Sequence, residues 1–178
     1  SVAANTALGV DALDSGSLSG TNNTAVGYNA LLSNTTGASN VAVGKNTLDA
    51  NTTGNYNTGL GQGALGANVS GIDNTAVGQG AMGANTGSYN VAVGKTALTI
   101  NTTGEYNTAI GTAALYSNIS ASNNTAVGYQ ALYDNTTGGQ NTAVGYLALA
   151  NNTTAANNSA LGNGALQLNT TGTSNTAT

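Results

Sequence analysis

Asparagine recurs along this chain at an almost constant interval. Asn5, Asn23, Asn40, Asn57, Asn74, Asn90, Asn107, Asn124, Asn141, Asn158 and Asn175 are 17 residues apart, except for one step of 18 and one of 16. Around them runs the consensus N-T-A-V-G-Y-x-A-L-x-x-N-T-T-G-x-x, and ten such coils with a fragment fill the 178 residues. A period of this length marks a repeat architecture in which each unit packs on its neighbours, and it constrains the fold more than any single residue does.

With the recurrent Asn as position one, each coil reads as an extended stretch, a short corner, a second extended stretch and an N-T-T-G turn. A helix would need apolar residues at three- and four-residue spacing over several turns, but Gly and Asn interrupt every such run. The expected fold is therefore all-β: a parallel β-solenoid, or β-roll, of about ten 17-residue coils, forming one repeat domain over residues 1–178. Stacked at the strand spacing of about 4.8 Å, ten coils make a thin rod of roughly 45–50 Å.

Two aliphatic columns read as the core. Position four supplies Val26, Val43, Val77, Val93, Ile110, Val127 and Val144, with Leu8, Leu60 and Leu161 in the same column; position nine supplies Leu31, Leu48, Leu65, Leu98, Leu115, Leu132 and Leu149, with Met82 standing in once. Period-two alternation puts position two (Thr, Val or Ser) on the face of position four, so it is expected to be partly buried. Gly at position five, from Gly9 to Gly162, reads as a corner with positive φ, and the N-T-T-G glycines as the φ > 0 residue of a turn.

Stacking also accounts for the composition. Only 4% of the residues are charged, as expected where each column sets like against like, whereas Asn and Thr columns can donate and accept along the stack. Six of the eight tyrosines have a like neighbour one coil away: Tyr129 with Tyr146, Tyr116 with Tyr133, and Tyr89 with Tyr106. One Val and one Leu per coil do not offset the cost of ordering seventeen residues of backbone. Further burial is expected, by three parallel chains packing side by side or by coils of successive chains stacking end to end.

The N-T-A-V-G and N-V-A-V-G strands, as at residues 40–44 and 90–94, resemble the S-V-A-I-G repeat of trimeric autotransporter adhesin heads, and N-T-A-V-G-Y-x-A-L is similar to repeats of phage tail-fibre-like proteins. The likeness runs through every coil. It implies a left-handed parallel β-roll, assembled as a trimer and displayed outside the cell. The coil here is longer than the adhesin repeat because of the N-T-T-G turn.

Little in the sequence points to chemistry. The six acids Asp11, Asp14, Asp49, Asp73, Glu105 and Asp134 are scattered over different coils, and no His or Cys is present to serve as base or nucleophile, so the chain is read as no enzyme. No cofactor or metal is expected: Gly59–Gly66 lacks the Lys-Ser/Thr and the helix of a phosphate loop, and the turns carry Asn and Thr where a calcium solenoid needs Asp. A net charge of −4 leaves no basic surface for nucleic acid, and no apolar run approaches the ~20 residues of a membrane helix.

Asn34, Asn51, Asn68, Asn101, Asn118, Asn135, Asn152 and Asn169 at position twelve each begin an N-x-S/T sequon, and glycans there would form a sugar-coated ridge; the same residues are equally good turn formers. Ice binding would need an outward Thr-x-Thr face, and the assignment of position two to the core side argues against it. The expectation is a structural role: a rigid extracellular rod at the cell surface or on a virion fibre, whose partner is itself, as homotrimer or end-to-end filament. The alternative is an adhesin or tail-fibre head that contacts host-surface glycan through its tyrosines. The ends, Ser1-Val2-Ala3-Ala4-Asn5 and Asn175-Thr176-Ala177-Thr178, read as uncapped, those of a filament or an excerpt. The absence of a starting Met reads as a processed product or an excerpt.

Overall fold

The computed structural model describes residues 4–178; Ser1, Val2 and Ala3, and with them the expectation of an uncapped start, lie outside the described residues. Among the described residues eleven short strands follow one another: β1 (Thr6–Leu8), β2 (Thr24–Val26), β3 (Val41–Val43), β4 (Thr58–Leu60), β5 (Thr75–Val77), β6 (Val91–Val93), β7 (Thr108–Ile110), β8 (Thr125–Val127), β9 (Thr142–Val144), β10 (Ser159–Leu161) and β11 (Thr176–Ala177). They form one parallel sheet in sequence order, each strand beside the next, with Thr125 opposite Thr142 and Val127 opposite Val144. The chain is a parallel β-solenoid with a rise of one strand per coil, as the period requires.

Each coil holds one strand, at positions two to four, where two extended stretches were expected. The remainder is a chain of tight turns, for a local reason. Position five is Gly with φ from 129° to 140°, and positions seven and nine also have positive φ, as at Asn46 (54°) and Leu48 (53°). Left-handed residues at alternating places rule out a second strand. The turns still stack: the Leu48 amide donates to the Ala64 carbonyl (3.0 Å), and the Leu31 amide to that of Thr47 (3.1 Å).

The core differs from the expected one in a single column. Leu31, Leu48, Leu65, Met82, Leu98, Leu115, Leu132 and Leu149 are fully buried, but position four faces out: Val93 is 37% exposed, Ile110 40% and Leu161 57%, while Val26, Val43, Val77, Val127 and Val144 are half-buried. Position three points inward in its place, and Ala25, Ala42, Ala76, Ala92, Ala109, Ala126 and Ala143 are completely covered. Alternation along the strand holds with the phase opposite to the expected one: position three is inner and position four outer.

The interior beside the strand is shallow, which explains the inversion. At Gly59, the one position-three residue without a methyl, a Cβ would lie 2.6 Å from Thr47 Cγ2, because Thr47 replaces the usual Ala at position eight of the coil before. Between the strand and the returning half of the coil there is room for a methyl and a Leu, and none for a Val.

Candidate interaction surface

With the phase corrected, positions two and four make a continuous outward face along the rod. Thr or Val at position two alternates across each strand with Val, Leu or Ile at position four, and the parallel register sets every row over the next. Rows repeat at about 4.8 Å and the two columns lie roughly 6.7 Å apart. Neither column contains a charged residue. Neighbours in a column cover one another, so most of these side chains are half-buried, while Val41 (38%), Leu60 (46%) and Leu8 (68%) present more of their surface. Because position two points outward, the ground on which ice binding was set aside does not hold; the row is Thr-x-Val rather than Thr-x-Thr.

The two Asn columns point the other way, into the interior. In column one the Asn40 amide donates to Asn23 Oδ1 (2.9 Å), Asn57 repeats this toward Asn40 (2.9 Å), and so on along the rod. In column twelve Asn51 Nδ2 donates to Asn34 Oδ1 (2.9 Å) and Asn135 Nδ2 to Asn118 Oδ1 (3.1 Å). The columns meet at the carbonyl of residue fifteen: Gly54 O accepts from Asn40 Nδ2 (2.8 Å) and from Asn51 Nδ2 (3.1 Å), which ties the turn to the strand within that coil, and Ala121 O does the same for Asn107 and Asn118. The Asn-to-Asn bonds between coils run in one sense, later coil donating to earlier, so the amide dipoles align and polarise one another.

This geometry corrects the glycan reading. Asn34, Asn51, Asn68, Asn101, Asn118, Asn135 and Asn152 are fully buried, and the Nδ2 that would carry a sugar is the atom that donates inside the coil. Asn169 is half-buried, with Nδ2 bound to Asn152 Oδ1 (3.2 Å) and Gly172 O (2.9 Å). The sequons are a by-product of Asn ladders beside Thr-rich turns. The turn glycines are corrected as well: Gly37, Gly54, Gly71, Gly104, Gly138 and Gly172 do not have positive φ, and Ala121 and Ala155 occupy the same place in two coils. The place is held to Gly or Ala: a Cβ on Gly54 would sit 2.4 Å from Asn51 Oδ1, so even the methyl of Ala needs a small local shift.

The tyrosine pairs stand on the outside. Rings of Tyr89 and Tyr106 stack with centroids 5.0 Å apart and planes 1° from parallel, those of Tyr116 and Tyr133 at 5.3 Å, and those of Tyr129 and Tyr146 at 5.4 Å. Tyr28 has Lys45 beside it instead, with Nζ 5.7 Å from the ring centroid. Partial burial raises the pKa of the Asp49 carboxyl from its ordinary value, against the lowering effect of hydrogen bonds from the Asp49 and Ala50 amides. Among the described residues no three acids come together as metal ligands, and no helix is long and apolar enough to cross a membrane.

Comparison with known proteins adds no relative: no protein-family profile, no curated protein and no solved structure matches this chain.

Proposed function

We propose that the chain is a structural rod of an extracellular fibre, and that copies of it pack side by side through the outward face of positions two and four. One observation carries the reading: an uncharged strip of Thr and Val runs the length of the rod on the same strands whose inner face is the core. A strip of this kind, repeated with small uncharged variations in every coil, is complementary to a parallel copy of itself. Side-by-side packing also provides the burial that a thin coil lacks. The likeness of the N-T-A-V-G strands to trimeric autotransporter adhesin heads and tail-fibre repeats favours three chains and a place on a cell surface or virion. The function is then shape and stiffness, with no reaction.

The alternative head that binds host glycan finds less support, since sugars stack on the faces of aromatic rings and the paired tyrosines turn those faces toward each other. The test is the state of association in solution. Wild-type protein should sediment as a small multimer, and Val93→Lys with Val127→Lys should yield monomer with an unchanged β-type circular dichroism spectrum. A wild type that stays monomeric at high concentration, or a double variant that still associates, would refute lateral packing.

A further inference from the structure

The tyrosine pairs do more than fill a surface. A chain without Cys has no disulfide with which to tie one coil to the next, yet at three places it holds two phenol rings in contact across adjacent coils. The three pairs occupy different columns, at the residue before position one, at position ten and at position six, so no single packing requirement of the coil produced them. Tyr89, Tyr106, Tyr129 and Tyr146 are 41–55% exposed, open to an oxidant in solution.

We infer that these pairs are sites of dityrosine cross-linking, which would staple neighbouring coils of one chain under oxidising conditions. The reaction needs a one-electron oxidant, here a haem peroxidase with hydrogen peroxide. Each phenol gives up one electron and its hydroxyl proton to become a phenoxyl radical, with unpaired density on the ring carbons ortho to the oxygen. Two radicals in contact join through one ortho carbon of each ring. The hydrogens on those carbons then shift to oxygen and restore both aromatic rings. The net loss is two protons and two electrons per link, and one peroxide takes them up to become two waters. Stacking supplies the proximity on which radical coupling depends, because a phenoxyl radical whose partner is already in contact couples before it diffuses to another chain.

The molecule contains its own controls. Tyr28 (48% exposed) and Tyr56 (64% exposed) are as open as the paired residues, but the rings beside them are missing: Lys45 neighbours Tyr28, and Ser39 and Asp73 neighbour Tyr56 in its column. Exposure and proximity therefore predict different products.

The experiment treats dilute, folded protein with peroxidase and hydrogen peroxide, reads dityrosine fluorescence and chain mass, and sequences linked peptides after denaturation and broad-specificity proteolysis. Links should fall within single chains, joining Tyr89 to Tyr106 and Tyr129 to Tyr146, with Tyr116 to Tyr133 slower because those rings are more covered. Tyr89→Phe should abolish the first link and leave the others. The same treatment in denaturant should remove the preference. Links that involve Tyr28 or Tyr56 as often as the pairs, links found only between chains, or no coupling where free tyrosine couples in the same mixture would each overturn the assignment. Coupling within a pair depends only on two rings of one chain, so it is expected whether or not the rods pack laterally, and Val93→Lys with Val127→Lys should leave the within-chain links in place.

Discussion

The coil from Asn74 to Tyr89 has 16 residues where its neighbours have 17, and the contrast between it and a regular coil shows which part of the repeat governs the stack. In the coil that starts at Asn107, Asn118 Nδ2 reaches both Asn101 Oδ1 (2.7 Å) and Ala121 O (3.0 Å), and Asn118 Oδ1 accepts from Asn135. In the short coil Asn85 Nδ2 reaches Gly87 O (2.9 Å) and not the coil before, so Asn68 Oδ1 is buried with no partner. The backbone rung that joins position thirteen of successive coils, such as Thr102 to Ile119 (2.8 Å), does not form between Val69 and Thr86. The strands ignore the deletion: Thr75 still lies opposite Val91 and Val77 opposite Val93. Strand register rests on the buried Ala and Leu columns, whereas the turn absorbs a missing residue and loses its ladder there.

The largest consequence concerns the Asn column itself. Asn118→Ala removes two donated bonds and one accepted bond at a fully buried place; Ala121 O keeps its bond from Asn107, but Asn101 Oδ1 and one N–H of Asn135 are left unpartnered at ~1–3 kcal/mol each, so a loss of roughly 3 kcal/mol or more is expected. Asn68→Ala should cost about 1 kcal/mol less, since it also removes an oxygen that is already an orphan. Denaturant midpoints of the two variants measure the difference, and equal midpoints would mean that the break in the ladder at the short coil carries no energetic weight.

Irregularity in the interior is handled differently from irregularity in the turn, and a second pair of variants isolates that contrast. Thr47 and Gly59 exchange bulk: the Thr methyl occupies the space of the absent Ala methyl, and the Thr47 hydroxyl donates to Gly61 O (2.7 Å). Gly59→Ala alone should cost ~1–3 kcal/mol by overpacking. Thr47→Ala alone loses a hydrogen bond and opens a methyl-sized void, about 1–2 kcal/mol. The double variant restores the combination found in other coils and should cost less than the sum by at least ~1 kcal/mol. Simple additivity in the thermal unfolding of the four proteins would argue that the two residues do not share one space.

A smaller effect is expected from repairing the short turn. Inserting Thr between Thr86 and Gly87 rebuilds N-T-T-G, gives Asn68 Oδ1 a donor and closes the missing rung, while one added loop residue costs little. A gain of about 1 kcal/mol follows from one satisfied buried acceptor. Hydrogen exchange at Val69 and Ser70 should slow in the insertion variant; unchanged exchange at both amides would detach the defect from the deletion.

How much of this was legible beforehand divides along the same line. Period, register, the absence of helix among the described residues, the Leu column and the tyrosine pairs all follow from spacing, because stacking sets position i over position i + 17 whatever the coil looks like inside. Phase was not legible from spacing, since an alternating strand has two faces and period two does not say which is inner. Size held the missed signal: position three is Ala in every coil except at Gly59, and Gly59 follows the coil in which Thr47 replaces Ala. A column so uniformly small marks a tight interior, and a column free to vary among Val, Leu and Ile marks a face with room. The Asn columns carried a similar ambiguity, because the same Asn-Thr-Thr serves as sequon, as turn and as buried ladder, and only burial separates them.

Charge gives the mildest test of the regular coil. Asp49 is at position ten, where the adjacent coils have Leu32 and Gly66, so its carboxyl meets partial burial without a like charge in either neighbouring coil of the column. Burial raises its pKa in the fold, so over the interval between the unfolded and folded values the native chain binds more protons than the unfolded one. Stability from this group is therefore full below the ordinary carboxylate range and declines as pH rises through the folded value. At neutral pH the ionised Asp49 is a slight burden, kept small by the solvent that still reaches it. Asp49→Asn should be modestly more stable than wild type at neutral pH, and the gap should narrow on acidification. If denaturant midpoints show the gap widening as pH falls, hydrogen bonds from the Asp49 and Ala50 amides outweigh burial at this site, and near-absence of charge elsewhere in the coil reflects repulsion between stacked neighbours more than the cost of covering a single carboxylate.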